Sequence, residues 1–259
     1  MDRIEALFAR KKSRILSVYF TPGYPKLNDT VEVIKTLEQQ GVDMIEIGIP
    51  YSDPMADGPV IQKSSQIALA NGISQRTLFA QLENIRQEVS IPLVFMGYLN
   101  TIMQFGFENF CQKAKEIGID ALIIPDIPLD VYEEEYKPIV DKYGLHFVLL
   151  ITPETSPERV RKIDEVSSGF IYMVSSAATT GTQISFGGEK QAYFQGIASM
   201  NLKNPTLVGF GVSNQATFDA ACEYSRGAIV GSEFIKQLTA QPTIQQAVAT
   251  MLAKVTGQK

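Results

Sequence analysis

The chain has 259 residues, of which 45% are hydrophobic and 20% charged, and its formal net charge is -5. This composition can bury a sizeable core and excludes a globally disordered chain. Lysine and arginine are scattered along the chain, which argues against a nucleic acid or an anionic membrane as a partner. Cys111 and Cys222 lie far apart within apolar helical patterns, and we predict buried thiols in a reducing compartment.

The segment from Met1 to Lys12 carries Ile4, Leu7 and Phe8 at helical spacing between charged residues. This pattern predicts a short amphipathic helix, and it lacks the apolar centre of a signal peptide. No apolar run reaches the ~20 residues that a membrane-spanning helix needs. We therefore expect a cytoplasmic protein that does not bind a membrane.

Eight short apolar runs, rich in β-branched residues, follow one another along the chain. They are Ile15 to Thr21, Asp43 to Ile49, Pro92 to Gly97, Ala121 to Pro125, His146 to Ile151, Phe170 to Val174, Thr206 to Gly209 and Ala228 to Gly231. These runs lack polar alternation, as expected of parallel strands that are buried on both faces.

Amphipathic helical patterns separate these runs. One begins at Phe107 and ends before Gly118, and another has Ser156 as its N-cap and Pro157 in its first turn. Unbroken alternation favours a closed barrel over an open doubly wound sheet, because closure leaves no sheet edge exposed. We therefore predict an α/β protein with a single (β/α)8 TIM barrel domain over residues 1–259 and a short extra N-terminal helix.

Two connections are longer than a turn and one helix require. They run from Pro50 to about Ser74 and from Ser175 to about Asn204. Both follow the carboxyl ends of predicted strands, which is the end of a barrel where enzymes carry their chemistry. The second connection begins with small polar residues from Ser175 to Gln183, as expected of a mobile lid.

Glu46 interrupts an otherwise apolar strand, and a buried carboxylate needs either a structural ion-pair partner or a catalytic purpose. Strand alternation places Met44, Glu46 and Gly48 on one face, where we expect open space beside Gly48 towards the rim. Asp53 and Asp57 follow in a segment stiffened by prolines. Each is typical of a turn, but a second acid within reach of Glu46 would suit acid-base catalysis.

Glycine-containing turns at Gly181, Gly211 and Gly231 follow three late strands. Glycine lets an anion approach backbone N–H groups closely, so these turns predict a phosphate site.

His146, the only histidine, begins the fifth strand and should face the opposite rim, which makes a histidine-ligated metal implausible. No predicted strand contains a lysine for a Schiff base. We expect a barrel that binds a phosphorylated small molecule without a metal or organic cofactor.

The segment from Glu46 to Gln62 resembles the signature of the tryptophan synthase alpha chain family. Further motifs match in the same order, so the resemblance runs from about Ile4 to the last helix. These motifs are Tyr19 to Pro25, Pro125 to Pro128, Thr180-Gly181, Gly209 to Gly211 and Gly231-Ser232. The resemblance implies a lyase of tryptophan biosynthesis that cleaves indole-3-glycerol phosphate to indole and glyceraldehyde 3-phosphate.

The resemblance also implies residue roles, with Glu46 as the acid-base group and Asp57 as the residue that holds the indole N–H. The substrate-binding residues that it implies are Tyr19, Leu99, Tyr172, Thr180, Gly181, Phe210, Gly211, Gly231 and Ser232. Core packing is the alternative role for Leu99, Tyr172 and Phe210. Ser176 stands where many relatives carry an arginine, and Tyr19 stands where a phenylalanine is usual. Loop closure and substrate contact are therefore expected to differ here.

By the same resemblance the partner is a pyridoxal-phosphate-dependent beta chain in an alpha2-beta2 heterotetramer, and this chain itself holds no cofactor. The beta chain would contact the rim near Asp53, Asn100 to Met103 and Pro128.

One alternative is another phosphate-binding barrel, such as a sugar-phosphate epimerase, although metal-ligand histidines are lacking. Two others are a stand-alone lyase that releases free indole and a catalytically inactive barrel that serves as an activating subunit. Intact Glu46 and Asp57 argue against the inactive barrel.

Overall fold

The computed structural model describes residues 2–175 and 187–257. Ser176, Thr180 and Gly181 lie outside them, as does most of the predicted lid.

Parallel strands form a closed barrel in which β8 pairs back with β1. The strands are β1 (Ile15–Phe20), β2 (Met44–Gly48), β3 (Leu93–Met96), β4 (Ala121–Ile123), β5 (His146–Ile151), β6 (Ile171–Val174), β7 (Thr206–Gly209) and β8 (Gly227–Val230). The predicted barrel is therefore confirmed, and each predicted strand end lies within two residues of the observed one. β4 ends earlier than expected because Pro125 has no N–H to donate to a neighbouring strand.

Helices surround the barrel. They are α1 (Arg3–Arg10), α2 (Thr30–Gln39), α3 (Pro59–Ala70), α4 (Gln75–Leu82), α5 (Leu99–Phe105), α6 (Phe107–Glu116), α7 (Leu129–Val131), α8 (Lys137–Lys142), α9 (Pro157–Val166), α10 (Gly188–Ser199), α11 (Gln215–Tyr224), α12 (Ser232–Ala240) and α13 (Ile244–Thr256). Short 3-10 turns occupy Leu27–Asp29 and Ile85–Gln87, and a π-helical turn occupies Tyr132–Tyr136. None of the helices in the described residues is both long and apolar enough to cross a membrane.

The first helix packs across the amino-terminal end of the barrel, where it buries Ile4, Leu7 and Phe8 as its pattern predicted. Asp2 caps this helix by accepting the Glu5 N–H, and its other carboxylate oxygen lies 2.8 Å from Nε2 of His146. His146 therefore lies at the end of the barrel away from the strand carboxyl ends, as predicted.

Ion pairs stabilise the same end. Asp120 precedes β4 and accepts the N–H of Leu93, and its carboxylate oxygens lie 2.9 Å from Arg3 and 2.6 Å from Arg86. Arg86 also donates to the carbonyl of Gly118. Asp120 is therefore held by two cations and a backbone N–H at this end of the barrel.

Local predictions for the helices are largely confirmed. Gly118 adopts a φ of +85° after α6, and the Ser156 hydroxyl caps α9 by accepting the N–H of Arg159. Both cysteines are free, but only Cys111 is buried. The prediction of a buried thiol was wrong for Cys222, which is half-buried because it follows the last position of the buried stripe of α11.

Candidate active site

A cavity opens at the carboxyl ends of the strands and encloses about 510 Å³ of space, part of it open solvent. Predicted site residues that line it are Tyr19, Asp57, Tyr172, Phe210, Gly211, Gly231 and Ser232. Lining residues that sequence reasoning missed are Ile61, Met96, Val212, Ser213, Ile229 and Glu233. The barrel thus brings together residues from four strands and from the segments after β2, β7 and β8.

Glu46 faces the barrel interior. It pairs with Tyr19 across β1 and β2, and Gly48, two residues later, pairs with Met96 across β2 and β3. Paired residues and residues two apart share a face of the sheet, and Tyr19 and Met96 line the cavity. Glu46 itself lies just below the cavity lining and has no exposed surface.

The environment of Glu46 favours its neutral form. Oε1 accepts a hydrogen bond from Ser17 Oγ at 3.0 Å, and Oε2 has no hydrogen-bond partner among the described residues. Burial raises the pKa of Glu46 to about 8, although the Ser17 hydrogen bond acts in the opposite direction. A carboxyl with this pKa is mostly protonated at neutral pH and can donate a proton.

Two glycines provide the space in which two tyrosine rings pack. A Cβ atom on Gly48 would lie 2.0 Å from the Tyr19 hydroxyl, and one on Gly209 would lie 2.2 Å from the Tyr172 ring. The expectation of open space beside Gly48 was therefore wrong, because the Tyr19 ring of the neighbouring strand fills it. The ring lies on the rim side of Glu46 and shields the carboxyl from solvent.

The phenols of Tyr19 and Tyr172 stay protonated near the carboxyl groups of Glu46 and Asp57. The pKa of Tyr19 is raised well above 10 by burial and then by the nearby Asp57 carboxylate. The pKa of Tyr172 is raised well above 10 by burial and then by Glu46 and Asp57. Each hydroxyl therefore lies within electrostatic range of both carboxyl groups, and the four side chains form one group.

Asp57 lies in the loop between β2 and α3 and is half-buried. Its Oδ2 accepts a hydrogen bond from the Tyr98 hydroxyl at 3.1 Å, and that hydroxyl accepts the Ala56 N–H at 3.0 Å. Burial raises the pKa of Asp57, and the hydrogen bond from Tyr98 opposes this. Sequence reasoning missed Tyr98; its place directly after β3, at the carboxyl rim, was the available signal.

The glycine turns after β7 and β8 lie together on one wall of the cavity. Gly211 has a φ of +80°, and Gly231 immediately precedes the first turn of α12. Glu233, in that first turn, is buried, and its Oε1 lies 2.8 Å from Lys254 Nζ. Gln237 donates to the same oxygen at 2.8 Å. This wall therefore contains the amino terminus of α12 and the carboxylate of Glu233, which is paired with Lys254.

Leu99, a predicted substrate-binding residue, does not line the cavity. It begins α5, and its backbone N–H donates to Asp126 at 2.9 Å. Met96, at the end of the preceding strand, occupies the cavity wall. The strand end faces inward, whereas the helix start has already turned away from the barrel axis.

The three residues predicted to face a partner are exposed. Asp53, Asn100 and Pro128 all lie in segments that follow strand carboxyl ends, and Asn100 donates to the Tyr51 hydroxyl at 3.0 Å. Met55 and Met103 belong to the same segments and are 86% and 51% exposed.

Among residues 2–175 and 187–257, no group of three or more histidine, cysteine, aspartate or glutamate side chains is arranged to hold a metal ion.

Comparison with known proteins identifies relatives over nearly the whole chain. The family model for the tryptophan synthase alpha chain matches residues 6–259. The tryptophan synthase alpha chain of Bacteroides thetaiotaomicron is 60% identical over 248 residues, which cover 96% of this chain and 97% of that protein. The crystal structure of tryptophan synthase subunit alpha from Legionella pneumophila is 32% identical, with a TM-score of 0.88 over 99% of this chain and 98% of that chain. A chain of the tryptophan synthase complex from Pyrococcus furiosus is 30% identical, with a TM-score of 0.85 over 95% of this chain and 99% of that chain.

The packing of Tyr19 over Gly48 leads to a test of the cavity wall. We expect Gly48→Ala to lower the free energy of unfolding by about 1–3 kcal/mol, because the added methyl group must displace a buried ring. Urea unfolding measures the change. Gly196→Ala is the matched control, because a Cβ there meets no atom within 4 Å. Alanine within a helix should stabilise the control slightly. Equal losses for both variants would contradict the described packing.

Proposed function

The chain belongs to the tryptophan synthase alpha chain family, and we propose that the described cavity is where it performs the retro-aldol cleavage of indole-3-glycerol phosphate. The products are indole and glyceraldehyde 3-phosphate. The observation that carries the proposal is Glu46, a buried carboxyl whose pKa of about 8 keeps it protonated at neutral pH. A second acid, Asp57, lines the cavity together with Gly211 and Gly231.

The substrate itself can accept the electrons of the breaking bond. Protonation of carbon 3 of the indole ring converts the ring to a cationic imine. When the hydroxyl on the adjacent glycerol carbon loses its proton, the carbon-carbon bond breaks, and its electrons return to the ring as the aldehyde forms. The protein therefore needs to supply only proton transfer and charge stabilisation.

Glu46 can perform both proton transfers. Its neutral carboxyl donates a proton to carbon 3, and the carboxylate that remains accepts the proton of the glycerol hydroxyl. The residue is thereby returned to its starting form, so the protons balance over one turnover. Because Oε2 has no partner among the described residues, it is the oxygen from which we propose the proton leaves.

Asp57 suits a different role because it lies nearer to solvent and is held by Tyr98. We assign to its carboxylate the acceptance of the indole N–H, which stabilises the positive charge that develops on the ring nitrogen. Tyr19, Tyr172 and Phe210 provide aromatic walls for the indole. Tyr172 and Phe210 are already in ring contact, with centroids 5.9 Å apart.

The phosphate group is assigned to the glycine-lined wall. Gly211, Gly231 and Ser232 lie there, and the amino terminus of α12 favours an anion through its N–H groups and helix dipole. Thr180 and Gly181, which lie outside the described residues, are proposed to complete this site.

A partner completes the proposal. Family membership points to a beta chain that converts the released indole to tryptophan, and we place the pyridoxal phosphate in that chain and the assembly in the cytoplasm as an alpha2-beta2 heterotetramer. The exposed rim at Asp53, Asn100 and Pro128, with Met55 beside it, is the proposed contact surface. A stand-alone lyase would share the cavity but not the response to a beta chain.

The first test measures indole release from indole-3-glycerol phosphate. We expect Glu46→Gln to lower kcat by about 100-fold or more, as for other general acid-base groups. For the native chain, kcat/KM should fall above about pH 8, where Glu46 loses its proton. A Glu46→Gln variant that kept more than about a tenth of the native rate would disprove the catalytic role.

The folding stability of Glu46→Gln is the control, because a loss of activity is informative only if the variant remains folded. The folded-state pKa of Glu46 lies above its ordinary value of 4.5, so its contribution to stability is complete below about pH 4.5 and is lost as the pH rises through about 8. We expect Glu46→Gln to remain folded and to lose less stability than the native chain over this range. Urea unfolding at several pH values measures the difference.

The second test concerns the phosphate wall. In Lys254→Met the Glu233 carboxylate loses its cation beside the proposed phosphate position, so repulsion should raise KM about three- to tenfold at low salt with little change in kcat. Adding Glu233→Gln to this variant should restore KM, because the repelling charge is gone. If the double variant binds as poorly as Lys254→Met, the electrostatic explanation is incorrect.

The third test concerns the partner. We expect a purified beta chain of the family to accelerate indole release, and Met55→Ala to weaken the complex about fivefold or more, as for a buried anchor at an interface. Arg10→Ala, on α1 at the opposite end of the barrel, is the control. An unchanged rate with the beta chain would favour the stand-alone lyase.

A further inference from the structure

Ser17 lies directly beside the proposed acid-base group. It belongs to β1 two residues before Tyr19 and therefore shares the inward face of the barrel. Ser17 and Glu46 both have no exposed surface, and Ser17 Oγ lies 3.0 Å from Glu46 Oε1. No lysine, arginine or histidine among the described residues forms an ion pair with Glu46. The serine is thus its one hydrogen-bond partner there.

Building on the proposed function, we propose that Ser17 is a positioning residue that determines which oxygen of Glu46 carries the reactive proton.

The two oxygens of a neutral carboxyl group differ in their hydrogen bonding. One oxygen is a carbonyl, which only accepts hydrogen bonds, and the other carries the proton. A hydroxyl that donates to Oε1 makes Oε1 the carbonyl oxygen. The proton of Glu46 then resides on Oε2, which has no partner among the described residues and remains available for transfer.

The same hydrogen bond supports the second half of the reaction. When Glu46 has given up its proton, Ser17 still donates to Oε1 and stabilises the carboxylate, which no cation of the described residues neutralises. Removing the hydroxyl leaves a buried charge with less solvation, so the ionised form becomes harder to reach. Ser17 therefore acts against burial, in agreement with its lowering effect on the Glu46 pKa.

Other groups that face Glu46 do not substitute for Ser17. Tyr19 from β1 and Tyr172 from β6 stay protonated, and neither forms a hydrogen bond with Glu46. Asp57, in the loop after β2, carries the wrong charge to stabilise a carboxylate. From β3 the inward residues Val94 and Met96 are apolar.

The decisive experiment compares Ser17→Ala with Ser17→Thr. We expect Ser17→Ala to lower kcat about tenfold with KM changed less than about twofold, because the loss is of one hydrogen bond to a group that becomes charged. The alkaline limb of the pH profile should move to higher pH by about one unit. Ser17→Thr retains the hydroxyl and should restore both values.

A readout without substrate separates this inference from the proposed function. Carbon-13 NMR of protein labelled at glutamate carboxyl groups follows the titration of Glu46, with its signal assigned by its absence in Glu46→Gln. We expect the Glu46 midpoint to rise in Ser17→Ala and to return in Ser17→Thr. If the native chain did not cleave indole-3-glycerol phosphate, the proposed function would fail even if this midpoint shifted.

The matched control is Ser167→Ala. Ser167 is also buried, and its hydroxyl donates to a backbone carbonyl, that of Phe147, away from the cavity. We expect this variant to lose stability without moving the Glu46 midpoint. The inference is overturned if Ser17→Ala leaves the midpoint unchanged or lowers it, since a lower value means that Glu46 donates to Ser17. A rise in KM alone would equally overturn it.

Discussion

The proposed chemistry depends on a carboxyl group that the barrel buries with no cation beside it among the described residues. Glu46 has no exposed surface, and its one hydrogen-bond partner among the described residues is the neutral hydroxyl of Ser17. Because water solvates a carboxylate far better than a protein interior does, burial favours the protonated form and raises the pKa to about 8. An ordinary glutamate thereby becomes a neutral acid that can donate a proton at physiological pH.

Closure of the barrel buries Glu46, but it does not bury the loops after the strands to the same extent. Parallel strands bury both faces, so Glu46 on β2 is enclosed by inward side chains of the other strands, including Tyr19 and Tyr172. The loops after the strands lie nearer to solvent, which leaves Asp57 half-buried and held by a hydroxyl from Tyr98. Glu46 and Asp57 therefore differ in burial because they lie at different depths along the barrel axis. Such a difference suits the proposed division between acid-base catalysis and charge stabilisation.

The sequence predicted features that depend on local pattern. The strands were found because buried parallel strands are continuous apolar runs, and Glu46 was found because it breaks one of them. Ser17, Tyr98 and Glu233 were missed because their roles arise from the strand register or from helix packing, which local patterns do not contain. The space beside Gly48 was misjudged for the same reason, since the ring that fills it comes from another strand.

A second buried carboxyl, that of Glu233, lines the cavity, and it differs from Glu46 in its nearest partner. Glu233 lies in the first turn of α12 with Lys254 at 2.8 Å and Gln237 donating to the same oxygen. Lys254 balances the charge of Glu233, which leaves the positive end of the helix dipole available to an anion. Glu46 has the neutral partner Ser17 in place of a cation, which suits the change of charge that the proposed acid-base role requires. Both carboxyls are buried, so the nearest partner, a neutral hydroxyl for Glu46 and a cation for Glu233, is what distinguishes them.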